Sequence, residues 1–375
     1  MKRIASLDGM RGLAALYVVL HHAYFEVSEA APKEWLVGRF AWLAFGHYAV
    51  AVFIVLSGFS LAAGDPMRGG FWAYVRRRAR RILPPYYVAL GLSLLLIWLV
   101  PGLQSRDDPR WGEIALPAFE AKTLVSHAFL IHNVRSSWCH RIDPPMWSVA
   151  TEWQIYFLLP AILWVSRRWG MGAGVALAFV LGLAPVQFRQ STCDCACPWY
   201  AGLFALGAAA AIGRHRRPSP RWLLPLTLPL CLFLADGLAV VDALVGAVTA
   251  AFLAQVAAGR VPDWLVTPLE SRPAVVLGAF SYSLYLTHYP LQAWASAALV
   301  RLGLSPDVRL LILLGPVTLV CLAVAYGFHL VAERPFMPGH AGSLARGEVG
   351  DLESGFMGSG PVTGFRAVPC GNIGP

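Results

Sequence analysis

Residues 7–25 read LDGMRGLAALYVVLHHAYF, an apolar run that contains Arg11 and ends in His21 and His22. A helix crossing a hydrocarbon core needs about 20 mostly apolar residues, so this run is read as a first membrane-spanning helix. Arg11 and His22 are eleven positions apart. That is about three helical turns, which puts both side chains on one face, roughly 16 Å apart along the axis. His21 points about 100° away, so the spacing selects His22 as the partner of Arg11. Ionisable groups inside a membrane segment are costly, face the bundle interior and usually mark function. The plainer alternative makes Arg11 a cytoplasmic flanking charge and His22 a hydrogen-bonded bundle histidine.

The rest of the chain repeats this pattern. Of 375 residues, 57% are hydrophobic and only 14% charged, against roughly 25% charged in a soluble domain. Ten apolar segments follow one another: 10–26, 40–63, 83–103, 146–166, 171–188, 198–213, 222–237, 239–258, 274–299 and 308–331. With Lys2 and Arg3 placed in the cytoplasm, the clusters at Arg76–Arg81, Arg167–Arg168 and Arg214–Arg217, then Arg260 and Arg272, all fall on that side. This is the positive-inside pattern, and it explains the +9 net charge without any nucleic-acid partner. The expected fold is an all-α polytopic membrane protein with about ten transmembrane helices and both termini cytoplasmic. Residues 1–337 form the membrane domain, and the Gly-rich 338–375 reads as a disordered cytoplasmic tail. The expected location is the bacterial inner membrane.

The longest outer connection, 104–145, contains a moderately apolar stretch from Leu124 to His132 that suits a re-entrant or surface helix. Cys139 lies in this connection, and Cys193, Cys195 and Cys197 lie in another. Their one-residue spacing is wrong for the common zinc pairs. Outside the membrane a disulfide is the expected use, with the pairing open, and no metal is expected.

Four constellations carry chemistry. Arg11 and His22 are the first. In the second, Arg76–Arg81, Arg78 and Arg81 share a face if the stretch is helical. Their forked guanidiniums suit phosphate groups, although topology and lipid head groups also account for such clusters. The third runs from Pro145 to Phe157, where Glu152 is the lone acid beside Trp147 and Trp153. Glu152 could orient a histidine, bind acceptor hydroxyls, or sit as an interfacial acid in an aromatic belt. The fourth, Phe280–Leu291, gathers Ser281, Ser283, Tyr285, His288 and Pro290 in one helix, where small polar side chains can also simply join helices.

At these stretches the chain resembles the acyltransferase-3 family of integral membrane acyltransferases. Leu7–Gly12 with His22 is similar to its opening segment and Arg-X10-His motif, and Arg78 and Arg81 to its Arg-X-X-Arg motif. Trp147–Tyr156, Ser281–Pro290 and the Ser-Gly-Phe at 57–59 also match. The chain departs from the family pattern at Ala150–Thr151 and Thr287. The resemblance runs from about residue 4 to Pro335 and implies transfer of an acyl group, most often acetyl, from acyl-CoA as co-substrate. The acceptor would be a hydroxyl on a glycan, lipid-linked sugar or small metabolite. On this reading Arg11, Arg78 and Arg81 hold the CoA phosphates, and His22 is the general base or transient acyl carrier. Glu152 assists the chemistry, while Trp147, Ser281, Tyr285 and His288 meet the acceptor. The competing reading is a proton-coupled secondary transporter, with His, Arg and Glu as a relay; no inverted repeat supports it.

Overall fold

The computed structural model describes residues 4–28, 34–100, 119–187, 194–213 and 237–337. The chain divides into Met1–Phe336 and Met337–Pro375. The expected span at 222–237, apart from Gly237, and the expected tail at 338–375 lie outside the described residues.

Every regular element among the described residues is a helix. In lipid only a helix or a closed barrel satisfies all of its backbone polar groups internally. The helices are α1 (Ala5–Ser28), α2 (Trp35–Arg39), α3 (Gly46–Ala62), α4 (Gly70–Leu99), α5 (Ala121–Ala128), α6 (Ser136–Cys139), α7 (Met146–Trp169) and α8 (Met171–Gln187). They continue with α9 (Tyr200–Gly213), α10 (Gly237–Ala257), α11 (Asp263–Glu270), α12 (Arg272–Ala279), α13 (Ser281–Arg301), α14 (Pro306–Ile312) and α15 (Thr318–Phe328). Among the described residues five stretches are long and apolar enough to cross a membrane: Ala41–Ala62, Gly70–Leu99, Met146–Trp169, Gly237–Ala257 and Pro306–Phe336. The described residues are those of a polytopic membrane protein whose regular elements are all helices. Helices α1 and α13 have the length to span, at 24 and 21 residues, but polar side chains lower their hydropathy, and those are the side chains that build the site.

Two expected boundaries differ. The third span was expected to start at residue 83, yet α4 begins at Gly70, so the arginine cluster is helical and continuous with the membrane segment. Arginine is a good helix former, and nothing before Pro84 interrupts the turn. The expected span at 274–299 is broken at Phe280 into α12 and α13.

Helix α3 lies between two groups. It packs against α1, which also contacts α11, α12 and α13, and against α9, which contacts α8 and α10. Leu56, Phe59, Leu203, Phe204 and Leu206 are fully buried along this seam. The close approach of α1 to its neighbours depends on two glycines. A Cβ on Gly9 would strike the Leu269 carbonyl, and one on Gly12 would strike the backbone at Ala274 and Gly278. With these faces pressed on α11 and α12, Arg11 is directed elsewhere, toward α3, where it donates to Ser60.

The segment 119–145 does not cross the bundle. Its α5 is only 8 residues long. The Tyr86 and Tyr87 hydroxyls of α4 donate to the His127 and Ala128 carbonyls at 2.9 and 2.7 Å. Asn133 donates to Thr151 at 3.0 Å, and Gln154 returns a bond to Asn133 at 2.8 Å, which fixes the segment on α7. Thr151 also donates to the Ala196 carbonyl at 2.9 Å and so ties down the cysteine-bearing turn.

Cys139 meets Cys195 in this cap. A hydrogen bond between the two, together with burial, pushes the Cys139 thiol well up from its ordinary value. Their sulfurs and a ring nitrogen of His140 lie within 4.8 Å of one another; Cys193 is outside the described residues. In protein purified without reductant, digestion and mass spectrometry should find a Cys139–Cys195 cross-linked peptide. Full alkylation without reductant, with zinc that a chelator removes, would instead show that the trio holds a soft cation.

Candidate active site

Polar side chains gather at two levels of the bundle, joined by one face of α1. The first level is set by a problem of ring nitrogens. His288 is fully buried, and its Nδ1 lies 2.9 Å from the Leu284 carbonyl. A carbonyl only accepts, so Nδ1 carries the hydrogen and Nε2 a lone pair. That Nε2 lies 3.0 Å from Nδ1 of His22. His22 must therefore donate from Nδ1, and its own Nε2 is left as a hydrogen-bond acceptor. The rings are 5.1 Å apart, and Tyr289 meets His22 edge-on at 5.2 Å. Gln292, one turn on, donates to the Val19 carbonyl at 2.9 Å and locks α13 to α1 beside the pair. A tautomer fixed through a second residue is the usual way to prepare an imidazole as a base.

The second level surrounds Arg11. Its guanidinium lies 3.4 Å from Asp8 and donates to Ser60, which in turn donates to the Leu56 carbonyl at 2.7 Å. Arg11 also lies within electrostatic reach of Arg81, Glu152 and Tyr156. Tyr156 donates to Glu152 at 2.6 Å. Its hydrogen is thus committed, so Ser57, 3.2 Å away, donates to the tyrosine oxygen. Arg78 acts on Tyr156 and Tyr74, and the Tyr74 hydroxyl donates to the Tyr156 carbonyl at 3.2 Å. Within the arginine cluster, Arg78 and Arg81 are half-buried while Arg76, Arg77 and Arg80 are exposed. Three inward guanidiniums against Asp8 and Glu152 leave an excess of positive charge, which suits a multiply charged anion.

The remaining expected residues are arranged unequally. Trp147 stacks near-parallel on His47, with ring centroids 6.1 Å apart. Tyr285 donates to the Pro145 carbonyl at 3.0 Å and lies 2.6 Å from the Ser148 hydroxyl, which ties α13 to the start of α7. Ser281 turns back to the Gly278 carbonyl at 3.0 Å. Glu152 accepts from the Tyr156 hydroxyl and lies on the arginine side of the bundle.

Sequence reasoning missed three groups. Glu333, 2% exposed, accepts from Ser283 at 2.6 Å and from His329 Nδ1 at 2.8 Å, in a widened π turn spanning His329–Glu333. Asp242 is fully buried beside His47. Ser57 and Ser60 complete the arginine level. The signal was available for Asp242, His329 and Glu333, which are ionisable residues in apolar stretches.

Residues 4–328 match the family described as an acyltransferase domain, the acyltransferase-3 family. The chain belongs to this family. It is similar to a putative membrane-bound transacylase, BcsY, of Komagataeibacter xylinus, at 26% identity over 77% of this chain and 72% of the relative. It is also similar to the acyltransferase MdmB of Streptomyces mycarofaciens, at 25% identity over 76% of this chain and 78% of the relative. The peptidoglycan O-acetyltransferase OatA of Listeria monocytogenes is 27% identical over 48% of this chain, a match that spans only 28% of that protein. No solved structure matches significantly.

Replacing His288 with leucine removes one of two acceptors at His22 and leaves the Val18 carbonyl. Acyl transfer should fall by about tenfold or more, because the base keeps its tautomer but loses the contact that sets its ring orientation. Steady-state kinetics should show the loss in kcat with little change in KM for the donor; unchanged kcat would detach His288 from the chemistry.

Proposed function

We propose that this family member moves an acyl group, acetyl in the simplest case, from acyl-CoA to a hydroxyl of a cell-surface glycan, lipid-linked sugar or small metabolite. The observation that carries the reading is the fixed tautomer of the His22–His288 pair, one face of α1 away from three inward-facing arginines. A base and an anion clamp are the two parts that thioester acyl transfer needs. In this reading ten spans place both termini in the cytoplasm, so the arginine level faces the CoA pool of a bacterial inner membrane. The names of the relatives, a peptidoglycan O-acetyltransferase and a transacylase among them, support a hydroxyl-bearing acceptor. As an enzyme family that transfers acyl groups, acyltransferase-3 sets the transporter reading aside.

The mechanism runs along α1. Arg11, Arg78 and Arg81 bind the CoA phosphates, with bidentate contacts that guanidinium geometry favours. The roughly 16 Å from Arg11 to His22 is a distance the pantetheine arm can bridge, which brings the thioester to the histidines. Nε2 of His22 takes the acceptor's hydroxyl proton as the oxygen attacks the thioester carbonyl. The carbon–sulfur bond then breaks, and the proton leaves with CoA as the free thiol. The products are one ester and one CoA-SH. Glu152, held by Tyr156, balances the arginines and keeps their side chains apart. The apolar walls of α1, α3 and α13 exclude water, which would otherwise hydrolyse the thioester.

Replacing His22 with alanine should cut acyl transfer by about 10²–10⁴-fold, the range a general base contributes, while acyl-CoA still binds. Full activity in that variant would end the assignment. Arg78→Gln with Arg81→Gln should raise the Kd for acetyl-CoA at least tenfold in nanodisc titrations and leave dephosphorylated, short-chain thioesters unaffected. Unchanged acetyl-CoA affinity would return both arginines to a topological role.

A further inference from the structure

Asp242 is a fully buried carboxylate inside an otherwise apolar helix. Its Oδ2 accepts from the indole of Trp199 at 2.9 Å and from Nε2 of His47 at 2.9 Å. Its Oδ1 is buried and has no hydrogen-bond partner among the described residues. A carboxylate so placed is costly, and such residues tend to serve a site. The bond to Asp242 fixes the hydrogen of His47 on Nε2, so a neutral ring presents a lone pair at Nδ1. No described residue hydrogen-bonds that atom. The side chain of His47 is 27% exposed, whereas that of Asp242 is fully enclosed. The pair thus has a sealed end and an open end, which a contact serving only to join α3 to α10 would not require.

The open end is walled by aromatic rings. Trp147 lies near-parallel to the imidazole at 13°, and the Tyr200 hydroxyl is 3.2 Å from His47 Nε2. Tyr200 is fully buried, so with Asp242 it closes the Nε2 end of the imidazole and leaves the Nδ1 edge as the open one. Tyr48 meets His47 edge-on at 5.7 Å. Part-exposed aromatic faces beside a fixed acceptor match a sugar ring, which has an apolar C–H face and hydroxyls around its edge. The place is linked to the reaction centre. His21 is close enough to His47 for their charges to interact, its Nδ1 donates to the Leu43 carbonyl at 2.7 Å, and its ring meets His22 edge-on at 5.1 Å.

We propose that His47, positioned by Asp242 and flanked by Trp147 and Tyr48, forms a binding site for a polyhydroxylated, sugar-like ring. His47 Nδ1 accepts from a ring hydroxyl, and Trp147 offers its face to the ring. Asp242 is a positioning residue. The location deepens the acyl-transfer reading, because the ring would be the part of the acceptor that carries the target hydroxyl, but binding itself does not rest on that reading.

The test therefore starts without a donor. Methyl β-glucopyranoside, methyl β-galactopyranoside and methyl N-acetyl-β-glucosaminide are titrated against the full-length protein in nanodiscs and followed by ligand-observed NMR. At least one should bind wild type, with affinity reduced tenfold or more in His47→Gln and in the near-isosteric Asp242→Asn. Thermal unfolding and acetyl-CoA binding should be unchanged in His47→Gln, which alters a part-exposed side chain and so keeps the test valid if Asp242→Asn unfolds. Binding to none of the three glycosides, or equal binding by wild type and His47→Gln, would overturn the site. With acetyl-CoA added, the same variants should raise the acceptor KM more than they lower kcat. Glycoside binding without any transfer in wild type would leave the site standing and count against the acyl-transfer reading alone.

Discussion

An imidazole in an apolar bundle has two ring nitrogens and, when neutral, one hydrogen. Each nitrogen must find a partner of the right kind, because a buried unpaired polar atom costs about 1–3 kcal/mol. His288 meets this condition by donating to its own helix at Leu284 and accepting from His22. The second half of that arrangement requires α1 and α13 to lie side by side in a fixed register. Gln292 to Val19 enforces the same register one turn away. The alignment of two helices 266 positions apart in the chain is thus written into the hydrogen-bond needs of one ring.

The same α1 must also present Arg11 to α3, and here small residues decide. Gly9 and Gly12 let the opposite face of the helix lie directly on the backbone of α11 and α12. The Leu-Asp-Gly-Met-Arg-Gly opening therefore works as one unit: the glycines set the depth of the helix, Asp8 contacts the guanidinium, and the arginine projects into the bundle. The serines of α3 receive it, and α7 supplies Tyr156 and Glu152 behind them.

Much of this could be read before any coordinates. The spacing of Arg11 and His22 gave the shared face, and the three-residue spacing of Arg78 and Arg81 picked out the two arginines that turn inward. Apolar length located most helices within a few residues. Pairings across long sequence separations could not be read. Nothing local in the sequence says that His47 meets Asp242, that Ser283 and His329 converge on Glu333, or that Glu152 faces a tyrosine. Ser281 and Tyr285 show the converse. Their hydroxyls suited a ligand by type, but the helix start at Ser281 and the neighbouring Pro145 carbonyl offered nearer acceptors. The break at Phe280 also escaped the hydropathy pattern, since both sides of it are apolar.

Helix α4 carries two consecutive prolines, Pro84 and Pro85, just beyond the inward arginines. Neither can donate a backbone hydrogen, so the carbonyls of Arg80 and Arg81 have no helical partner four residues on. The turn that holds Arg78 and Arg81 is thereby joined to the rest of α4 by fewer hydrogen bonds than any other part of it, while Tyr86, Tyr87 and Ser93 anchor the far side to the cap. At the joint itself Tyr282 donates to the Ile82 carbonyl at 3.1 Å and braces it from α13. Two missing bonds at consecutive residues thus loosen, without breaking, the coupling between the arginine end of α4 and the end that carries the cap.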